Sequence, residues 1–310
     1  MMTTDNTAAN ILSNLRLGIV GLGLMGGSLA MALRGRVAGV VAVERQADTR
    51  QSALRAGIVD AAVETLTADS PPVDVLVLAT PARVILDTLQ RLPDLRPDGC
   101  AVIDLGSTKQ AVVAAMDALP ERFSAIGGHP MCGKETSGLA SATPDLYHDQ
   151  TFLLCPTQRT TPAIEATALA LVAAIGARPL FIDARGHDQA VAAVSHLPAV
   201  LSAALMRVAA DEQLWAISAS GFRDTSRLAG SDPRMMIDIL LTNRQAVLNA
   251  LRDYESELAV VRQALETGDE AALADWLAAA QVSYAAYRRF KSAEHLFTVR
   301  PADSRAGKIA

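Results

Sequence analysis

The sequence predicts an α/β chain in which a doubly wound, parallel-sheet domain is followed by an all-helical domain. Three observations predict it. Short β-branched apolar runs alternate with helical segments from Leu15 to Asp183, the imprint of parallel strands joined by crossover helices. The first run flows directly into a turn reading Gly21-Leu22-Gly23-Leu24-Met25-Gly26. After Asp183 the strand pattern stops and only helical patterning remains. At 310 residues, two domains is also the ordinary expectation for the length.

The elements follow in order. Leu17–Val20 reads as a strand, with a helix from Met25 to Leu33 and a second strand at Val40–Val43. Val73–Ala79 is a continuous apolar run, as expected of a strand buried on both faces. Pro81 opens a helix, Ala101–Gly106 is the next strand, and a helix starts near Ser107. Phe123–Gly128, Thr151–Cys155 and Arg178–Asp183 complete six or seven strands. Beyond them Gly186–Ala210, Asp232–Thr242, Arg244–Leu265 and Asp269–Ala293 read as helices. Pro198 should kink or break the first of these. Asp232 followed by Pro233 is a helix start, N-cap then proline at the first helical position. The expected division is a frayed tail over 1–14, an α/β domain over 15–183, a helical domain over 184–295, and a tail over 296–310.

Composition excludes several classes. Half the chain is hydrophobic and the mean hydropathy is +0.23, so there is ample apolar surface for a packed core. A net charge of −5 lacks the basic footprint of a nucleic-acid binder. Arginine outnumbers lysine 24 to 4, which supplies many planar forks for anions. Cys100, Cys132 and Cys155 follow no paired spacing, which argues for a reducing compartment, and the N-terminal stretch has no secretory pattern; the expected location is cytoplasmic. The greasiest stretch, Ala190–Ala210, carries Ser195, His196, Pro198 and Arg207, so it is expected to be buried in protein rather than in lipid. No membrane or nucleic-acid partner is expected.

The glycine turn carries physical meaning because it follows a strand and opens a helix. Gly21 permits the tight turn, Gly23 lets the backbone approach a pyrophosphate, and Gly26 lets helix pack on strand; the helix N-terminus offers its free N–H groups to phosphate. This is the Rossmann arrangement. Glu44, eighteen residues past Gly26 at the end of the second strand, is placed to accept hydrogen bonds from an adenine ribose diol, which favours NAD. Arg45 beside it could hold a 2′-phosphate, which leaves NADP open. The expected cofactor set is Gly21, Leu22, Gly23, Leu24, Met25, Gly26, Glu44, Arg45 and Thr80, the last just beyond the run Val73–Ala79.

Three further clusters carry chemistry. Asp104-Leu105-Gly106-Ser107-Thr108-Lys109 follows a strand at its C-terminal end, where ligands bind in open α/β sheets; Ser107 can reach a substrate there, or simply cap the next helix. Gly127-Gly128-His129-Pro130-Met131-Cys132-Gly133-Lys134-Glu135 also follows a strand, and its histidine is expected on a tight loop. An imidazole suits accepting a hydroxyl proton as hydride leaves the same carbon. His129 and Cys132 lack a partner pair for zinc, so no metal is expected. The third cluster is split between Ser195-His196-Leu197-Pro198 and Ser220–Ala229, where Arg223 and Arg227 could clamp a carboxylate or pair with Asp224.

Taken together, GLGLMG, DLGSTK, GGHPMCGKE, SHLP and GFRDTSRLAGSDP, in that order from about Leu15 to Ala293, resemble the prephenate/arogenate dehydrogenases of tyrosine biosynthesis. The resemblance implies that His129, in the HPMxG motif, hydrogen-bonds the ring 4-hydroxyl and that Ser107, in GSxK, is its neighbour. It implies that Arg227, in DxxR, binds a substrate carboxylate. His196, in SHLP, is implied as a second substrate-site histidine directed at the side-chain end. Glu135 and Asp224 match acidic residues near the pocket entrance of some members. The implied reaction is oxidative decarboxylation of prephenate, or of arogenate, with NAD or NADP. A homodimer through the helical domain is implied as well. The chain ends soon after its last helix, which implies no added regulatory or mutase domain.

Two other classes compete. A β-hydroxyacid dehydrogenase or imine reductase also joins GLGxMG to a helical domain, but the former uses a lysine there. Between Asp183 and Ala293 the chain offers Lys291 alone, near the end of the last helix. A dinucleotide sensor would need no histidine on a substrate loop.

Overall fold

The computed structural model of the chain describes residues 10–294. Eight strands form one sheet in the order β3-β2-β1-β4-β5-β6-β7-β8. They are β1 Arg16–Val20, β2 Gly39–Val43, β3 Ala61–Val63, β4 Val75–Leu78, β5 Ala101–Asp104, β6 Ser124–Pro130, β7 Thr151–Pro156 and β8 Arg178–Phe181. The helices among them are α1 Leu24–Leu33, α2 Ala47–Arg55, α3 Ala82–Leu95, α4 Gln110–Asp117 and α5 Pro162–Ala174. Sequence reading finds every strand but β3, whose three residues are too short to register as a run.

Burial on both faces explains the apolar strands. In β4, Val75 and Val77 join one core with Leu17, Ile19 and Leu29, while Leu76 and Leu78 join a second with Ile85, Leu89 and Val112. The expected tail is described only from Asn10, and Leu12 there is buried in the first core. One strand departs from the parallel expectation: β7 pairs antiparallel with β6. The chain returns between them through residues 131–150, whose regular structure is the 3₁₀ turn Leu139–Ser141, and an antiparallel neighbour needs no crossover helix.

After the sheet come α6 Ala184–Val191, a π-helical turn Ala192–His196, α7 Leu197–Val208, α8 Glu212–Ala216, α9 Ser220–Ser226 with a 3₁₀ turn Arg227–Gly230, α10 Pro233–Thr242, α11 Arg244–Thr267 and α12 Glu270–Glu294. Asp183 caps α6, accepting from the Arg185 and Gly186 amides at 3.0 and 2.9 Å, and Asp232 caps α10; each cap contributes about 1 kcal/mol. Next to Pro198 the regular α-helix gives way to the π turn Ala192–His196, which separates α6 from α7. The segment Ser220–Ala229, outside the helices read from the sequence, is helical.

Ala184–Val208 is, among the described residues, the helix long and apolar enough to cross a membrane by length and composition. Its expected burial is not met within the single chain: 22% of its most apolar window is buried, and Val194 and Val208 are exposed.

The chain divides into two compact units, one up to Arg244 and one from Gln245. The helices from Ala184 to Thr242 thus share a compact unit with the sheet, although the change of secondary structure falls at Phe181. In the second unit, α11 turns into α12 at Gly268, which takes a left-handed φ of 65°, and the Trp276 indole donates to Glu257 at 2.7 Å.

Candidate active site

The glycine turn is shaped for close approach. Gly21 has φ 95°, the left-handed region that side chains rarely adopt. A Cβ on Gly26 would stand 1.9 Å from the Gly21 carbonyl oxygen, so α1 can pack on β1 only with glycine there. A Cβ on Gly23 would meet nothing within 4 Å. That face is open, and α1 begins beside it with no side-chain cap on its free N–H groups. The Thr80 hydroxyl is buried next to the turn without a hydrogen-bond partner among the described residues. An uncapped helix start, an open glycine face and an orphaned hydroxyl fit a dinucleotide.

Glu44 ends the second strand with its carboxylate already oriented. It accepts the Leu22 amide at 3.0 Å and the Gln46 amide at 2.9 Å, leaving lone pairs for a diol. The Arg45 side chain is exposed, with no hydrogen bond or ion pair among the described residues. Arg50, rather than Arg45, braces this corner, donating to the main-chain carbonyls of both Glu44 and Arg45.

At the C-terminal ends of β5 and β6 lies a buried polar network. His129 falls within β6 and not on the expected loop, which fixes its backbone by ladder hydrogen bonds to β7. Its Nδ1 stands 2.8 Å from Nε2 of His187, whose Nδ1 stands 2.8 Å from the Asp188 carboxylate. Asp188 also accepts the main-chain amides of Lys109 and Gln110 at 2.7 and 2.9 Å. The Lys109 ammonium, fully buried, pairs with Asp104. Asp104 in turn accepts the amides of Gly106 and Gly128 at 2.8 and 3.1 Å. One carboxylate thereby ties the Ser107 loop to the residue before His129. Ser107 itself has no hydrogen-bond partner among the described residues, so its hydroxyl is available; Thr108 is taken up by Thr242 at 2.9 Å.

Electrostatics keep the histidines neutral. Burial, then the positive potential of His187, Lys109 and His196, hold His129 well below its ordinary pKa. Burial also lowers His187, outweighing the raising effect of Asp188. Burial pushes His196 down to about 4. Cys132, raised to about 11 by burial, stays a thiol. Among the described residues no group of three or more His, Cys, Asp or Glu side chains could hold a metal ion.

Arg227 and Glu135 meet at 2.7 Å, both largely exposed, and the guanidinium holds the Glu135 carboxyl below its usual range. Asp224 does not join them; it pairs with Arg223 at 3.0 Å.

Residues 29–180 match the family model for the prephenate dehydrogenase nucleotide-binding domain, and residues 183–279 match the one for its dimerization domain. The chain belongs to the prephenate dehydrogenase family. Within this family it is 30% identical over 263 residues to the prephenate dehydrogenase of Bacillus subtilis, covering 81% of this chain and 70% of that one. The structure of prephenate dehydrogenase from A. aeolicus, in complex with hydroxyphenyl propionate and NAD+, is 28% identical with a TM-score of 0.81, covering 89% of this chain and 99% of that one. That of Synechocystis arogenate dehydrogenase is 31% identical with a TM-score of 0.76, covering 88% and 100%. Membership in the prephenate dehydrogenase family accounts for both halves of the chain, the sheet with its glycine turn and the helices that follow.

Five members of the polar network are given no role by the sequence reading: Asp104, Lys109, His187, Asp188 and Asn243. A signal exists for two. His187-Asp188 is a polar pair in the first turns of an otherwise apolar helical run, just after the Asp183 cap. Lys109 and Asn243 meet Asp188 across 79 and 55 positions, whereas Asp104 and Lys109 pair within one segment.

Proposed function

We propose that this protein oxidises prephenate with NAD and releases the ring carboxylate as carbon dioxide, giving 4-hydroxyphenylpyruvate. The observation that carries the reading is the chain Asp188–His187–His129. A carboxylate that accepts from His187 Nδ1 leaves that ring's Nε2 as an acceptor. Nε2 takes the Nδ1–H of His129, and the second nitrogen of His129 is then unprotonated. A neutral base at the C-terminal end of the sheet is what removal of a hydroxyl proton requires.

A bound nicotinamide supplies the hydride acceptor. Gly21 to Gly26 with Leu22, Leu24 and Met25 would hold its pyrophosphate, Glu44 its adenine ribose, and Thr80 would line the inner end. The Glu44 carboxylate, pinned by two backbone amides, favours a free diol over a 2′-phosphate. The exposed Arg45 is the group from which NADP use would draw.

On the substrate side, His129 takes the C4 hydroxyl proton and Ser107 holds the same oxygen. Arg227 exchanges Glu135 for a substrate carboxylate. A half-solvated guanidinium can do so without the desolvation cost of a buried pair. The loss of carbon dioxide aromatises the ring and makes the step strongly downhill; the protein's part is orientation and charge placement. Asp224, paired with Arg223, stands outside this set. A second copy of the chain covers the apolar Ala184–Val208 helix, in keeping with the dimerization-domain match.

Arogenate is the second reading, favoured by the likeness to the Synechocystis enzyme. The reading as a whole is tested by His129→Asn. Turnover of prephenate with NAD should fall by about 10²–10⁴-fold, the usual size of a general-base contribution, with the fold intact. Near-normal turnover would remove His129 from the mechanism.

A further inference from the structure

Asn243 closes α10 as its C-cap and is buried, only 3% exposed. Its Nδ2 donates to the main-chain carbonyl of Asp188 at 2.7 Å and lies 3.2 Å from Nδ1 of His196. A carbonyl oxygen only accepts, so the first contact fixes which end of the amide faces the histidine: it is the NH₂, a donor. His196 Nδ1 must therefore accept, and the proton of the neutral ring resides on Nε2. The opposite holds for His129, whose Nδ1–H is taken by His187. Two histidines are thus held in opposite tautomers from one residue. Asp188 acts on His129 through its carboxylate and His187, and on His196 through its carbonyl and Asn243. Neither Nε2 has a hydrogen-bond partner among the described residues.

The inner side of α10, which delivers Asn243, buries Ile239 together with polar groups: Asp238 receives the Arg83 side chain at 2.5 Å, and Thr242 meets Thr108 at 2.9 Å. Met235, Ile237 and Leu241 are exposed. Burying a polar face costs free energy unless every group is paired, and here the partners lie on the loop after β5, at the start of α3 and on the helix carrying His187 and His196.

We propose that Asn243 is a positioning residue that locks His196 as an Nε2–H donor, making the side-chain end of the pocket a receiver for carbonyl or carboxylate oxygen rather than for an ammonium group. The proposal rests on the reading above that His196 faces the substrate. It adds that the two histidines have opposed duties, one bare nitrogen for the hydroxyl proton and one N–H for the far end.

The test is long-range ¹H–¹⁵N NMR of the full-length protein labelled at its five histidines, joined to steady-state kinetics. In the wild type His196 should show the Nε2–H pattern and His129 the Nδ1–H pattern. In Asn243→Ala, His196 should become a tautomer mixture while His129 is unchanged. KM for the keto-acid substrate should rise about tenfold, as expected for one lost hydrogen bond, with kcat changed less than about threefold. A wild-type His196 protonated on Nδ1 overturns the proposal without any variant having to fold, and so does a His196 pattern or KM untouched by Asn243→Ala. Opposed tautomers in a protein that leaves prephenate unchanged would support the lock and contradict the functional reading.

Discussion

The Nδ1 of His129 and the Nε2 of His187 stand 2.8 Å apart, with Asp188 a further 2.8 Å beyond on the far side of His187. The relation makes His187 more than a buried neighbour. It dictates where the proton of His129 sits, and so which nitrogen can act as base. Replacing His187 by phenylalanine keeps bulk and removes the acceptor. We expect kcat to fall by about 10²-fold with KM little altered. An unchanged kcat would mean that His129 finds its tautomer unaided.

The pH dependence follows from the same network. In the proposed reaction His129 must be neutral to accept a proton, and its pKa is depressed by burial and then by electrostatic repulsion from His187, Lys109 and His196. kcat/KM should therefore stay level through neutrality and fall only in acid. Lys109→Met removes one lowering charge, so its acid limb should move to higher pH. Breaking the buried pair with Asp104 should also cost about 3–5 kcal/mol in a urea titration. An acid limb at the ordinary histidine pKa in the wild type would contradict the assignment.

Stability should show a related trend. His196 titrates at its ordinary 6.5 when unfolded and at about 4 when folded. Between these values the unfolded chain binds more protons, so this contribution is fully present above 6.5 and is lost as pH falls toward about 4. Replacing His196 by glutamine, which cannot titrate, should flatten the urea midpoint across that window; an identical slope would assign the acid sensitivity elsewhere.

The glycine turn separates folding from binding. Gly26→Ala puts a methyl 1.9 Å from the Gly21 carbonyl and should destabilise by about 3 kcal/mol or more. Gly23→Ala meets no protein atom within 4 Å and should leave the melting temperature unchanged while weakening cofactor binding. Calorimetry with cofactor titration distinguishes the two; equal thermal stability of both variants would show that α1 can shift to admit the methyl.

At the rim, Arg227→Ala should raise KM for the substrate at least about tenfold, while the melting temperature stays put because the Glu135 pair is solvent-screened. An unaffected KM would remove Arg227 from the substrate site.

Much of this was legible in the sequence. The glycine turn, Glu44 and the strand runs announce themselves locally, since strand burial and a tight turn each need particular residues within a few positions. The Asp232-Pro233 helix start is legible for the same reason. Strand direction was not: nothing in Thr151–Cys155 says that β7 runs against β6, because the cue is a missing crossover helix. The wider polar network is not legible because Lys109, Asp188 and Asn243 derive their meaning from partners 55 to 79 positions away.

The central claim is that His129, with its second nitrogen bare, and Glu44, with its pinned carboxylate, make this an NAD-dependent dehydrogenase for prephenate. Its most direct measurement is kcat/KM of the purified protein for prephenate and for arogenate, each with NAD and with NADP. The account predicts the highest value for prephenate with NAD, about 10²-fold above prephenate with NADP. Equal values with the two cofactors, or arogenate oxidised in preference to prephenate, would contradict it.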